Sequence, residues 1–212
     1  MRRLLRGVEG GLFALAAVAL GYCGFVWASA RVFQAGATRE LEELLQVRHA
    51  RPTATPREGA LLGQIAIPRI GLAAVIVEGS SAGTLQRAVG HIPGTALPGE
   101  AGNVCLAGHR DIFFRPLRGI APGDEILITT PARSSVYRVE GTRVVIPENV
   151  EVLKSTGADI ITLVTCYPFN FAGAAPKRFL VRAIRLQASS SSNVRQAQNG
   201  TQPLDSKRRD GL

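Results

Sequence analysis

Residues 160–168 read IITLVTCYP, a run of strand-forming residues that ends on a cysteine, a tyrosine and a proline. Only apolar residues and threonine precede Cys166, which predicts a buried strand that Pro168 brings to an end. A cysteine at the end of such a strand is able to leave the core and face a cleft. The alternative is that Cys166 fills the core, because free cysteine is among the most buried residue types.

Short segments of strand-forming residues, divided by glycine and proline, surround this run. Residues 90–99 are expected to form a loop, and a short helix within residues 80–89 is expected to begin at Ser80 or Ser81. Seven or eight strands with little helix predict an all-β fold, a closed or nearly closed β-barrel. The clearest strand segments are residues 63–68, 73–78, 103–107, 125–129, 134–145, 160–166 and 178–186.

The N-terminal part predicts a membrane anchor. Basic residues within 1–9 precede residues 10–30, which contain no charged side chain. A helix of this length spans roughly 30 Å, enough for the hydrocarbon core of a bilayer. Residues 1–9 are then expected in the cytoplasm and the rest of the chain outside it. The alternative is a cleaved signal peptide with a small-residue site at 28–30, but the apolar run is long for one.

Two further segments flank the barrel. Residues 31–60 predict an amphipathic helix, at about 37–49, and an extended linker with prolines at 52 and 56. This segment either holds the barrel away from the membrane or packs its helix on the barrel. The polar, low-complexity residues 188–212 predict a disordered tail.

Charge and cysteine usage exclude some classes of protein. The formal net charge is +9, but no basic stripe is interleaved with aromatic residues, so we expect membrane-surface attraction and no nucleic-acid binding. The three cysteines, Cys23, Cys105 and Cys166, form no CxxC pair, which argues against a disulfide framework and a thiolate metal site. No metal and no cofactor is predicted.

Three residues have the chemistry of acyl transfer. A thiol nucleophile needs a group that helps it ionise and that protonates the leaving amine. His109 directly follows the strand at 103–107, and two strands that end at one rim would place it beside Cys166. Arg178 begins the strand after the cysteine, and a guanidinium offers several fixed donors to an oxyanion. His49 lies in the predicted tether and is not expected to take part.

These segments together resemble the sortases, cysteine transpeptidases of bacterial cell envelopes. Thr-Leu-Val-Thr-Cys at 162–166 is similar to their nucleophile motif, and Ala107-Gly108-His109-Arg110, after Gly102-Asn103, to their histidine segment. Arg178 with the following Phe-Leu-Val resembles their arginine strand. The resemblance covers about residues 61–186 and includes the opening strand at 63–68 and the turn at 123–124. It is nearest to sortase classes D and E.

The resemblance implies a closed eight-stranded barrel and a transpeptidase with Cys166, His109 and Arg178 as catalytic residues. Its expected substrates are proteins with a C-terminal LPxTG-like sorting signal, and its acceptor is an amine of the cell envelope or of a pilin. Residues before the cysteine, among them Thr162, Val164 and Thr165, would help to line the substrate groove. Glu148 and Glu151 are too few for the calcium site of class A members.

Several alternatives remain at this stage. His91 either orients substrate or is a structural loop histidine. Cys105 is either a buried apolar residue or a redox partner of Cys166. The whole protein is alternatively a thiol peptidase that passes the acyl group to water, or a tethered peptide-binding module without activity. The Ser-His-Gly-Cys pattern of L,D-transpeptidases is absent.

Overall fold

Eight strands follow one another after residue 60 in the computed structural model, which describes residues 2–46, 56–154, 157–171 and 173–187. They close into a barrel in the order β1-β2-β3-β4-β7-β8-β6-β5, which confirms the predicted fold. The strands are β1 Leu61–Ile67, β2 Leu72–Glu78, β3 Val89–His91, β4 Asn103–Ala107, β5 Glu125–Thr129, β6 Ser134–Val145, β7 Ile160–Tyr167 and β8 Lys177–Arg185.

The barrel interior is filled by alternate residues of each strand. On β7, Ile161 and Leu163 point into the core, where both are fully buried. Their antiparallel partners on β8 are Ala183 and Val181, which belong to the same core. Burying a side chain such as Ile161, Leu163 or Val181 stabilises the barrel by about 1.5–3 kcal/mol relative to leaving it exposed. The even-numbered residues of β7, from Thr162 to Cys166, therefore lie on the outer face.

One strand was not expected. Residues 89–91 form β3, whereas the sequence placed residues 90 and 91 in a loop. A strand of three residues that contains glycine and histidine has no recognisable hydrophobic period, so only its neighbours define it. It pairs in parallel with β2 and antiparallel with β4. The helix that leads to it, α2 (Ala82–Arg87), begins as predicted at Ser81, whose Oγ accepts the Thr84 N–H at 3.3 Å.

Helix α1 runs without a break from Arg2 to Gln46, where the sequence suggested an anchor and a separate amphipathic helix. Its residues Gly11–Glu43 are long and apolar enough to cross a membrane, with a mean hydropathy of 1.9 in the most apolar stretch. Large apolar side chains of this stretch, such as Phe13, Leu20 and Trp27, are exposed. His49, residues 51–55 of the predicted linker and the predicted tail at 188–212 lie outside the described residues.

The C-terminal third of α1 packs on the barrel. Ala37 is buried against Val75 and Val77 of β2 and against Ala88, and Leu41 is only 1 % exposed. Of the two arrangements that the sequence left open, the structure therefore has the packed helix. The contact begins at Gln34, only a few residues beyond the uncharged stretch at 10–30, so the barrel lies close to the end of that stretch.

A side-chain amide secures this contact. Gln34 Oε1 accepts the Val75 N–H at 2.9 Å, and Gln34 Nε2 donates to the Arg87 carbonyl at 2.7 Å. Strand β3 pairs with β2 only from Ile76 onward. At Val75 the Gln34 side-chain amide therefore supplies the hydrogen bond that a further residue of β3 would supply. Both backbone groups would lose their partner without it.

We expect the Gln34→Ala substitution to lower the free energy of unfolding by about 1–3 kcal/mol, because it leaves a backbone donor and a backbone acceptor without partners. The measurement is chemical denaturation of the full chain in detergent, together with hydrogen exchange at the Val75 amide. Glu42→Ala, at an exposed position of the same helix, is the control and should change neither. Equal stability of the two variants would contradict this role of Gln34.

Candidate active site

Strand β7 lies between β4 and β8, and its register with both places three predicted residues at one rim. Cys166 and Arg178 are directly opposite each other in the antiparallel β7–β8 ladder. On the other side, Ala107 is opposite Val164 in the parallel β4–β7 ladder. The Gly108 N–H continues this pairing with a bond to the Val164 carbonyl at 3.2 Å. His109 is two residues after Ala107, and Cys166 is two residues after Val164, so the parallel register brings His109 level with Cys166.

The backbone at His109 is held from both sides. Thr165 Oγ1 donates to the Gly108 carbonyl at 2.7 Å, which ties the residue before the histidine to the residue before the cysteine. The His109 carbonyl accepts the N–H groups of Ile112 and Phe114 in a tight turn. Gly108 allows the fully buried Phe114 to pack close by, since a Cβ at position 108 would lie 2.8 Å from its ring.

Arg178 is half-buried beside the cysteine strand. Its Nη1 donates to the carbonyls of Ala175 and Lys177 at 3.2 and 3.0 Å. Among the described residues, its Nε and Nη2 donate to no acceptor, so these groups can serve a bound carbonyl oxygen. Cys166 and His109 are also half-buried, so all three residues are partly accessible to solvent.

A groove of about 650 Å³ leads away from this rim over the outer face of β7, β8 and β6. Thr162 and its partner Arg182 lie along it, and so does Leu180, which is opposite Val164. Leu180 is two residues from Arg178, roughly 7 Å along the strand, so the groove ends close to the rim with Cys166 and Arg178. Its other wall comes from β6 and from the β6–β7 loop, with Glu140, Gly141, Thr142, Arg143, Asn149, Glu151 and Val152.

The predicted substrate-binding residues on β7 divide between the two faces. Thr162 and Val164 share the outer face with Cys166, and Thr162 lines the groove. Thr165 instead points inward, is 2 % exposed and has its hydroxyl committed to Gly108. Because strand residues alternate between faces, Thr165 cannot face the groove that contains Thr162. Its place fits a role in positioning His109.

His91 lies away from the cleft, and its placement fits the structural alternative. It is 1 % exposed, and its Nδ1 lies 2.8 Å from Oε2 of Glu78, itself buried. Nε2 lies 3.0 Å from both the Ala96 carbonyl and Thr95 Oγ1. With both ring nitrogens occupied, His91 links β2, β3 and the following loop and has no contact to offer a substrate.

Cys105 lies outside the barrel core and is covered by the β6–β7 loop, where its Sγ is 3.8 Å from the Leu153 carbonyl. It is fully buried on β4, and burial raises the pKa of the Cys105 thiol to about 11. Cys105 is opposite Thr162, four residues before Cys166 on the neighbouring strand, which separates the two cysteines by roughly 13 Å. A disulfide needs Cα atoms within about 7 Å, so the structure does not fit the redox alternative.

Two residues near the site were not identified from sequence. Asn103 accepts the Thr162 hydroxyl at 2.8 Å and donates to the carbonyls of Val152 and Lys154, so it ties the β6–β7 wall of the groove to β4 and β7. Arg110 is buried directly after His109 and donates to three carbonyls of the β7–β8 loop. In the sequence, Asn103 and Arg110 stand out only as polar residues within Gly102-Asn103 and Ala107–Arg110, two segments that carry the resemblance to sortases.

Comparisons with known proteins show the family to which the chain is similar. A family model described as "Sortase domain" matches residues 65–186. Sortase D of Bacillus subtilis is 32% identical over 132 residues, which are 62% of this chain and 67% of that protein. Sortase SrtE1 of Streptomyces coelicolor is 39% identical over 121 residues, or 48% of this chain and 34% of that protein. These two names correspond to the classes that the sequence resembles.

Solved structures show the same fold. The Clostridium perfringens sortase D5 transpeptidase superimposes with a TM-score of 0.63 at 28% identity, covering 76% of this chain and 99% of that chain. Sortase C of Clostridium perfringens gives a TM-score of 0.58 at 25% identity, covering 81% of this chain and 99% of that chain.

We expect the two cysteines of the barrel to differ sharply in reactivity. In a Cys23→Ser background, iodoacetamide at about pH 8 should label Cys166 and leave Cys105 unmodified. The Cys105 thiol is buried and has a pKa of about 11, so at this pH it stays protonated and unreactive. Peptide mapping by mass spectrometry measures the label. After unfolding in urea both should react, and labelling of native Cys105 as fast as Cys166 would contradict the assignment.

Proposed function

Because the chain belongs to the sortase family, whose members are cysteine transpeptidases, we propose that this protein cleaves an LPxTG-like sorting signal between Thr and Gly. It then transfers the acyl group to an amine of the cell envelope or of a pilin subunit. The observation that carries the proposal is the register of β4, β7 and β8, which brings Cys166, His109 and Arg178 to one rim.

In the first step, the thiolate of Cys166 attacks the carbonyl carbon of the sorting-signal threonine. The C–S bond forms, and the carbonyl oxygen becomes an oxyanion. Arg178 supports this charge with the N–H groups that are not bonded to the loop, at a point where charge develops in the transition state. A preorganised cation is effective there because it needs no reorganisation during the reaction.

His109 transfers protons to the leaving amine and from the acceptor amine. As an imidazolium it gives a proton to the departing glycine amine, and the C–N bond breaks to leave a thioester on Cys166. The neutral imidazole then takes a proton from the incoming amine as that amine attacks the thioester. The new amide bond forms, the thiolate of Cys166 leaves, and His109 is protonated again. The cycle therefore balances with one proton passed from acceptor to leaving group.

The groove on the outer face suits an extended peptide. Thr162 and Leu180 line the groove that leads toward the thiol, and Arg182, paired with Glu140, lines it at the level of Thr162. A peptide in this groove would run along β7 and present its threonine carbonyl to Cys166. Leu180 and Val152 offer apolar contacts to the leucine and proline of the signal, and the polar groups around them can bind the peptide backbone.

The N-terminal helix supports a location at the membrane. Its apolar stretch is long enough to span a bilayer, and arginines precede it, so the expected topology is an N-terminus in the cytoplasm and the barrel outside. Such an anchor keeps the enzyme beside exported substrate proteins that wait at the membrane with their C-terminal signals.

We expect the full chain in detergent to join a fluorescent LPxTG peptide to an added oligoglycine amine, with ligated product rising at the expense of hydrolysed product as the amine concentration rises. Mass spectrometry of the products measures the ratio. Matched peptides that place alanine at the threonine position are the control and should not be cleaved. Hydrolysis with no ligation at any amine concentration would instead identify a thiol peptidase.

A further inference from the structure

Arg110 is the one strongly buried arginine that directly adjoins a proposed catalytic residue. It follows His109 in the chain and is 7 % exposed. The site described above assigns it no part in proton transfer or in oxyanion binding. A buried guanidinium is costly unless the surrounding structure satisfies its donors, so its partners indicate its purpose.

Those partners all belong to the loop that joins β7 to β8, residues 168–176. Arg110 Nη1 donates to the Pro168 carbonyl at 3.2 Å. Its Nη2 donates to the carbonyls of Phe171 and of Gly173, the latter at 3.0 Å. The Nε atom has no hydrogen-bond partner among the described residues, and the Asp111 carboxylate lies 3.5 Å from it on the exposed side.

This loop connects two of the three catalytic residues. Pro168 is two residues after Cys166, and Gly173 is five residues before Arg178. Arg178 itself donates to the Ala175 carbonyl at the far end of this loop and to the carbonyl of Lys177, the first residue of β8. Two arginines therefore bind the backbone of one loop, and Arg110 is the one that belongs to the histidine segment, so its hydrogen bonds join that segment to the loop.

We propose that Arg110 is a positioning residue that holds the β7–β8 loop against the His109 turn and so sets the mutual placement of His109, Cys166 and Arg178. The fork of N–H groups on a guanidinium reaches three carbonyls in fixed directions, whereas the single ammonium of lysine does not. Lysine at this position keeps the positive charge but cannot donate to the three carbonyls in the directions that the guanidinium reaches. Misplacement of catalytic groups by about 1 Å costs on the order of 100-fold in rate.

The test combines an exchange measurement with kinetics on the full chain in detergent, using Arg110→Lys and, as a second variant, Arg110→Gln. Without substrate, we expect amide hydrogen exchange of residues 168–176 to rise about tenfold or more in both variants, since their loop opens more readily. Arg118→Lys, an exposed arginine of the 3₁₀ turn at Arg115–Gly119, is the matched control and should leave exchange unchanged.

The kinetic part rests on the proposed function. In single turnovers with an LPxTG peptide, acyl-enzyme formation in Arg110→Lys should fall about 10- to 100-fold while KM stays within about twofold, because the groove residues are not altered. Rates are normalised to the folded fraction, so a merely structural role would leave them unchanged. Arg118→Lys should react like the wild type.

Unchanged exchange in the loop, or an unchanged rate per folded molecule, would overturn the proposal for Arg110. A wild-type chain that cleaves no peptide would instead overturn the proposed function. The exchange measurement needs no substrate, so in that case it decides by itself whether Arg110 holds the loop.

Discussion

The pairing of β7 with two different neighbours is the constraint on which the site depends. Its parallel ladder with β4 sets the level of His109, and its antiparallel ladder with β8 sets the level of Arg178. A slip of one residue in either ladder would turn Cys166 or its partner to the other face. The buried Ile161 and Leu163 oppose such a slip, because it would move them out of the core. The hydrophobic core thus fixes the catalytic register.

Hydrogen bonds at the rim convert this register into a defined arrangement of side chains. Thr165 binds the Gly108 carbonyl, which joins the nucleophile strand to the histidine segment. Asn103 of β4 accepts the Thr162 hydroxyl of β7 and donates to the Val152 carbonyl, which joins both strands to the groove wall. Arg110 and Arg178 bind the carbonyls of the loop that follows the cysteine. The bonds of Thr165, Arg110 and Arg178 lie next to the proposed catalytic residues, whereas the Asn103–Thr162 bond supports the groove further along β7.

Much of this could be predicted from the sequence, and the reasons are local. The strand at 160–166, the helix cap at Ser81 and the order of the catalytic segments all follow from short patterns of residues. The face of Thr165 could not be assigned without the register, because a threonine suits either side of a strand. The burial of His91 depends on Glu78 and Ala96, which pattern analysis does not connect to it. The docking of α1 depends on Gln34, a single polar residue in an otherwise apolar stretch.

The proposed reaction requires that Cys166 becomes acylated at the rim that it shares with His109 and Arg178. Intact-mass spectrometry of the enzyme mixed with an LPxTG peptide, in the absence of an added amine, measures this directly. We expect an adduct equal in mass to the peptide up to its threonine acyl group, mapped to Cys166 and absent in Cys166→Ala. An adduct on another residue, or peptide cleavage that persists in Cys166→Ala, would contradict the account.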